Sequence, residues 1–255
     1  MKKTYKIIFC TIFLILQYSN SFAEINITTD EGIEVFQDEK YYLLKKNVEI
    51  VTDDYLLTAD NVKANFEKDL YDIKHIFAKG NSLLKSDSRN ITAKGPELEF
   101  NIKEQILKIS GINSSLELDF ASMYSDGKID VYNNTGSFSL KGEKSKIIGN
   151  DIEVIGSDIK GKFSNTSNTN EIIELNVIDE NISYVKTESL EMYAQKIFYN
   201  KEQDYVELFE NVKVIRDTET ITGDYGKINM QNQSYKISSK DKSKVKVSLS
   251  NNDDE

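Results

Sequence analysis

The chain has very few of the residues that enzymes and metalloproteins use for chemistry. Its 255 residues include one cysteine, one histidine, one proline and no tryptophan. One cysteine, Cys10, excludes a disulfide within the chain and a zinc–thiolate cluster. One histidine, His75, excludes a multi-histidine metal site, and no local motif supports a catalytic triad around it. We therefore predict that the protein is not an enzyme and that it uses no cofactor and no metal.

Apolar runs long enough to cross a membrane are also lacking. The apolar stretch 7–16 follows Lys2, Lys3 and Lys6 and precedes the small and polar residues up to Ala23. Ten apolar residues are too few to span a hydrocarbon core of about 30 Å, but they suit a secretory signal peptide. We expect cleavage after Ala23, which removes Cys10 and gives a signal peptide of residues 1–23.

Acidic residues outnumber basic residues in the chain. The formal net charge is −10, and loss of the three lysines of the signal peptide moves it to −13. This balance argues against nucleic acid as a partner. The 42 acidic residues are spread over the polar clusters of the chain, which is typical of solvated turns. Paired carboxylates that act on a polysaccharide remain a third, weaker hypothesis.

What the sequence does contain is alternation. Ile, Val, Tyr, Phe and Thr recur at every second residue over long spans, and clusters of Asn, Asp, Lys and Ser separate these spans. This pattern predicts long antiparallel strands joined by turns. We expect one elongated all-β domain over residues 24–250, followed by an acidic disordered tail at 251–255.

One stretch of 26 residues, 205–230, recurs without a gap at 41–66 and at 75–100. The shared columns hold asparagines (Asn47, Asn81, Asn211) and outward threonines (Thr58, Thr92, Thr222), and aspartates repeat with the same strand pattern at positions 60, 126 and 224. The pattern is less regular between residues 106 and 196. Asparagine tolerates left-handed and bulged backbone, and a repeated aspartate favours a structural role, so we interpret both columns as structural.

The alternation slips by one residue inside each repeat. Leu57 and Ala59 are odd-numbered, whereas Val62 and Ala64 are even-numbered, and the slip recurs in the other copies. Such a slip turns half of a strand outward unless a bulge restores its direction. We therefore expect stacked bulges near Asn61, Gly95 and Tyr225. They would bend the strands into a jelly-roll with an apolar interior.

The aliphatic columns have two interpretations. Alternation alone indicates a buried sheet face, but small residues beside branched ones can leave a channel unfilled. Under the second interpretation, ten residues line a lipid groove: Val48, Ile50, Leu57, Ala59, Leu84, Ile91, Ala93, Val212, Val214 and Ile221.

These motifs resemble the LptA/OstA-like family of periplasmic lipopolysaccharide transport proteins. The resemblance is carried by Tyr205-Val206-Glu207-Leu208, Asn211-Val212, Ile221-Thr222-Gly223-Asp224 and Lys244-Val245-Lys246-Val247, and in the first half by Val48, Ile50 and Leu57-Thr58-Ala59-Asp60. It implies a bent β-jelly-roll in the periplasm that carries lipopolysaccharide to the outer membrane, with the acyl chains in a hydrophobic groove.

The resemblance also implies partners. An LptC-like inner-membrane component and an LptD-like outer-membrane component would pair with the edge strands near 25–29 and 245–249, and copies of the chain would associate head to tail. The main alternative is a secreted structural or adhesive β-solenoid that binds no lipid.

Overall fold

A computed structural model describes residues 25–68, 72–166, 169–240 and 243–249. The expected signal peptide and the expected acidic tail lie outside these ranges. Within them the regular elements are all β-strands, so the predicted all-β class is confirmed. The same ranges hold no helix of the length and hydrophobicity that a membrane span requires.

Ten long strands and eight short ones follow one another along the chain. The long strands are β3 (Tyr41–Val51), β4 (Leu56–Phe66), β5 (Ile73–Ser86), β6 (Ile91–Asn101), β11 (Ser137–Gly149), β12 (Glu153–Thr166), β13 (Thr169–Lys186), β14 (Glu191–Asn200), β15 (Tyr205–Arg216) and β16 (Glu219–Asn229). The short strands are β1 (Asn26–Thr28), β2 (Ile33–Phe36), β7 (Ile106–Ser110), β8 (Ser114–Glu117), β9 (Ala121–Ser125), β10 (Lys128–Tyr132), β17 (Ser234–Ser238) and β18 (Lys246–Leu249).

Each long strand takes part in two halves of one continuous antiparallel sheet. Half A contains β2, β7, β10, β17 and the portions of the long strands that are aligned with them. Half B contains β1, β8, β9, β18 and the remaining portions of the long strands. Fourteen strands side by side, at about 4.8 Å each, make a stack roughly 60 Å long. The protein is thus the elongated jelly-roll of stacked long strands that the sequence predicts.

A row of register shifts separates the two halves. The shifts fall between Lys45 and Val48, between Lys79 and Ser82, between Lys141 and Ser145, between Ile155 and Asp158, between Ile178 and Ser183, between Tyr193 and Lys196 and between Phe209 and Val212. The expected row of bulges is present, but its extra residues lie on β3, β5 and β15, the strands that pair with Asn61, Gly95 and Tyr225, and not at these three positions. The strands that pair with the bulged ones carry the one-residue slip. On β4, Leu57 and Ala59 are buried before the shift, and Val62 and Ala64 are buried after it.

The repeated asparagines supply the backbone of these bulges. Asn47, Asn81 and Asn211 have φ angles of 49°, 45° and 54°, in the left-handed region that asparagine tolerates. The amide of Asn81 also donates a hydrogen bond to Asp60 Oδ2 over 3.3 Å, while the backbone N–H of Lys240 donates to Asp224 Oδ2 over 2.8 Å. Both columns therefore stabilise the bend.

Buried serines complete the bulge row on its inner side. The Oγ of Ser114 donates to the carbonyl of Gly111 over 2.7 Å, and the Oγ of Ser125 donates to that of Lys141 over 2.9 Å. At the bend, some main-chain carbonyls lie outside the regular hydrogen-bond ladder. A serine hydroxyl donates a hydrogen bond to them without filling the space inside the bend.

The stack is interrupted at its middle. Gly111 and Asn113, with φ angles of 108° and 62°, break one long strand into β7 and β8, and Asp126-Gly127 separates β9 from β10. A Cβ atom on Gly111 would lie 2.6 Å from the Pro96 ring, so a side chain cannot be placed there without displacement of that ring. This break accounts for the irregular pattern between residue 106 and the end of β10.

The core lies between the two halves and runs along the stack. From β11 to β16 its largest members are fully buried: Leu140, Ile147, Ile159, Leu175, Met192, Ile197 and Leu208. Between β3 and β10 the core also holds fully buried side chains, such as Ile109 and Met123, but a cavity lies between the two halves there.

Candidate functional site

A cavity of about 590 Å³ separates half A from half B in the first part of the stack. Small-molecule sites in proteins typically enclose about 300–1,000 Å³. The cavity is lined by Ile25, Ile50, Thr52, Tyr55, Leu57, Ile73, Ile76, Ala78, Leu84, Arg89, Ile91, Leu98, Phe100, Ile102, Gln105, Leu107, Leu116, Leu118, Asp119, Phe120, Val131, Asn133, Phe163 and Asn170.

Its walls are aliphatic because the inward positions of β3 to β10 alternate with outward polar ones. Half A contributes Leu98 and Leu107, and half B contributes Leu57 and Leu84 from the opposite side. On β5, Ala78 offers only a methyl group where the equivalent positions of other strands carry larger side chains. A space bounded by hydrocarbon and left unfilled by the chain itself can accept an apolar guest.

Polar side chains occur where the cavity reaches the turns at the free margins of the two halves. In half B these are Arg89, in the turn between β5 and β6, and Asp119, in the turn between β8 and β9. In half A the amide of Asn133 donates a hydrogen bond to Gln105 Oε1 over 3.1 Å. These four lining side chains are exposed, so the turn rows form the mouth of the cavity.

Aromatic side chains bracket this mouth. Near the start of the stack, the rings of Tyr55 from half B and Phe100 from half A lie 6.4 Å apart. Towards the middle, the rings of Phe120 and Phe163 lie 5.9 Å apart, and Phe163 stacks on Phe138 at 6.2 Å. The second group closes the cavity on the side where the filled core begins.

The ten predicted lining residues are divided between the cavity and the packed core. Ile50, Leu57, Leu84 and Ile91 line the cavity. Three more belong to the buried core of the same region without lining it: Val48, Ala59 and Ala93. The last three are buried on β15 and β16 and are also not among the lining residues: Val212, Val214 and Ile221.

Sequence reasoning missed the aromatic and charged residues of the mouth. Tyr55 and Arg89 lie directly beside the polar turn clusters 53–54 and 87–88, and turn residues are normally interpreted as solvated connections. The signal in the sequence for these mouth residues was a large aromatic ring or an arginine directly beside a polar turn cluster. This signal points to a common site only once the stacked strands place these turns in one row.

His75 lies on the outer surface of half A and does not line the cavity. Its Nε2 is 3.1 Å from Glu99 Oε1, and its ring is 4.1 Å from that of Phe77. Lys108 Nζ donates to the same Glu99 oxygen over 2.8 Å. The Lys108–Glu99 ion pair and the contact between His75 and Glu99 link three strands, which is a structural arrangement. In the described ranges no three or more His, Cys, Asp or Glu side chains are grouped so as to hold a metal.

Fold and cavity together define an all-β protein whose bent sheet encloses an apolar space with a polar mouth. No protein-family model matches the chain, and a comparison with curated proteins gives no match. Among solved structures, the chain is similar to LptH of Pseudomonas aeruginosa, described as the LptA-homologous periplasmic component of the lipopolysaccharide transport device. The identity is 14%, the TM-score is 0.43, and the alignment covers 51% of this chain and 95% of LptH.

Proposed function

We propose that the protein is a periplasmic lipid-binding bridge that shields the acyl chains of lipopolysaccharide on their way to the outer membrane. The observation that carries the proposal is the apolar cavity of about 590 Å³ between the two halves of the sheet. Each methylene group left in water costs about 0.8 kcal/mol, so an acylated lipid needs such a shield to cross an aqueous space. The choice of lipopolysaccharide and of the periplasm rests on the sequence resemblance.

In this proposal the acyl chains enter between the rows of turns, and the sugars stay in water. Ile50, Leu57, Leu84 and Ile91 contact the hydrocarbon directly. The filled core of β11–β16 supports the wall at Phe120 and Phe163 and does not itself hold ligand.

The two ends of the stack support the proposed partners. β1 and β2 each pair only with β3 among the described strands, and β17 and β18 each pair only with β16. Ile33 and Val35 are exposed at the first end, and Val247 and Leu249 at the second. Unpaired apolar edges suit strand addition. We propose that an LptC-like component pairs with the first edge, that an LptD-like component pairs with the second, and that copies of the chain join head to tail.

A structural or adhesive role without a lipid is the second candidate. It is favoured by the core between β11 and β16, whose largest side chains are fully buried and do not line the cavity. The two candidates differ in whether the cavity between β3 and β10 is occupied in the cell.

A photo-crosslinking amino acid at Ile91, which lines the cavity, tests the proposal. Thr92 is the matched control, because it is the next residue on β6 and is not among the lining residues. After irradiation of cells and gentle purification, mass spectrometry should identify lipopolysaccharide adducts at position 91 and none at position 92. Adducts at neither position would favour the structural role, and adducts at both positions would show that the inner face is wrongly assigned. An adduct with a different lipid would mean that this lipid, and not lipopolysaccharide, is the ligand.

A further inference from the structure

We propose that Arg89 anchors the acidic headgroup of the bound lipid at the mouth of the cavity and so selects anionic amphiphiles. This inference rests on the proposed function, because it assigns the polar end of the same site. Arg89 is the cationic residue among the lining side chains, and the remaining lining residues are apolar, neutral polar or, at Asp119, acidic.

The side chain of Arg89 is held in place without being neutralised. Its guanidinium carbon lies 5.3 Å from the centre of the Tyr55 ring, which is itself a lining residue. Within the described ranges no carboxylate forms an ion pair with Arg89; nearby, Asp87 pairs with Lys85 at 2.8 Å, and Asp54 accepts a hydrogen bond from Ser88 over 3.3 Å. This cation–π contact places the guanidinium over the ring and leaves its N–H donors for a ligand.

The charge distribution along the mouth gives the lipid a direction. Arg89 and Asp119 occupy consecutive turns of half B, two strand spacings or about 10 Å apart. An acidic headgroup is attracted to the Arg89 turn, at the Tyr55 end, and repelled from the Asp119 turn, at the Phe120 end. Its hydrocarbon then lies against Leu57, Leu84 and Leu98.

Because the chain has a negative net charge, an anionic headgroup needs a local positive charge in order to bind. At a formal net charge of −10, or −13 without the expected signal peptide, the molecule as a whole repels anions. A guanidinium and a phosphate form short, charge-assisted hydrogen bonds, often in pairs, and such bonds outweigh a diffuse repulsion that salt screens. The chemistry that fits is therefore a lipid with a phosphate or carboxylate headgroup next to its acyl chains.

The test compares two probes with the same hydrocarbon tail. Dodecyl phosphate and the neutral dodecyl maltoside are titrated into the mature chain below their micelle-forming concentrations, and native mass spectrometry or calorimetry gives the dissociation constants. We expect the phosphate to bind more tightly. Arg89→Gln should weaken its binding about tenfold and leave the maltoside unchanged, and Arg89→Lys should retain part of the preference.

Arg216→Gln is the matched control. Arg216 ends β15 on the same margin of half B, contacts Gln233 Oε1 over 3.1 Å and does not line the cavity, so its removal changes the net charge equally. If both variants or neither lost the preference for the phosphate probe, Arg89 would not be the anchor. The cavity would still be a lipid site. Failure of both probes to bind the wild-type chain would count against the anchor and the proposed function together.

Discussion

At the scale of residues, the most demanding positions are those of the bulge row. Asn81 lies beside Gly80, which has a φ of 78°, and a Cβ atom on Gly80 would collide with the Asp60 side chain. A left-handed conformation costs most residues about 1–2 kcal/mol, so glycine and asparagine recur wherever a long strand bends.

Glu99 is the residue whose ionisation is most clearly coupled to the fold. Burial opposes its charge, but the hydrogen bond and the charge of Lys108, together with His75, outweigh burial and lower the pKa of Glu99. A carboxyl group with a lowered pKa stabilises the folded state above its unfolded pKa of about 4.3, and this contribution is lost as the pH falls through the folded pKa.

We therefore predict that Glu99→Gln lowers the free energy of unfolding at pH 7 by about 0.5–1 kcal/mol, and that the difference from the wild type disappears in acid. Urea unfolding at pH 7 and at pH 3 measures it. Glu97→Gln removes a more exposed pair, that with Lys79 at 3.0 Å, and should change stability less. A Glu99→Gln difference that is equal at both pH values would contradict the assignment.

At the scale of elements, strands of the same repeat have different surroundings. β6 faces the cavity through Leu98, whereas β15 faces the filled core through Leu208, which is fully buried. A side chain at the border of an empty space has fewer partner atoms, so its dispersion contribution is smaller. The same residue type should therefore contribute differently to stability in the two regions.

Leu208→Ala should cost about 2–5 kcal/mol, and Leu98→Ala about 1 kcal/mol less, in chemical unfolding of the lipid-free protein. Removal of Leu98 enlarges a space that already exists, whereas removal of Leu208 creates a new one. Equal losses would indicate that the cavity collapses in solution.

At the scale of the whole molecule, both ends of the stack have the same construction. At each end a long strand is replaced by two short ones, β1 with β2 and β17 with β18, which cover the two halves separately. The interior pairs β7 with β8 and β9 with β10 repeat this construction and are joined to each other by main-chain pairing. The interior joint thus illustrates how two such ends can meet.

Proline at position 247 or 248 of β18 tests whether the second edge is a joint. Successive residues of a strand direct their N–H groups to opposite sides, so one proline removes a donor to β16 and the other removes a donor at the free edge. The proline that removes only a free-edge donor should leave the melting temperature unchanged. We expect that variant to lose self-association, measured by analytical ultracentrifugation at high protein concentration. Association equal to that of the wild type in both variants would show that this edge is not used.

Much of this architecture is local and was therefore predictable. The alternation of β4, the slip between Ala59 and Val62 and the left-handed asparagines are properties of short segments, and the structure has all of them. The predicted groove residues were harder to place. Four of the ten line the cavity, because alternation distinguishes inward from outward but not an empty interior from a filled one.

The sequence by itself determined that long strands bend at a common column and turn one apolar face inward, because period, parity and backbone tolerance are encoded within each strand. Only the tertiary structure decided where the interior stays empty. That depends on the summed volumes of side chains from strands that are far apart in the chain, such as Ala78, Leu98 and Phe163. It also decided that Tyr55 and Arg89 meet at one mouth, since their turns are adjacent only once the strands between them have paired.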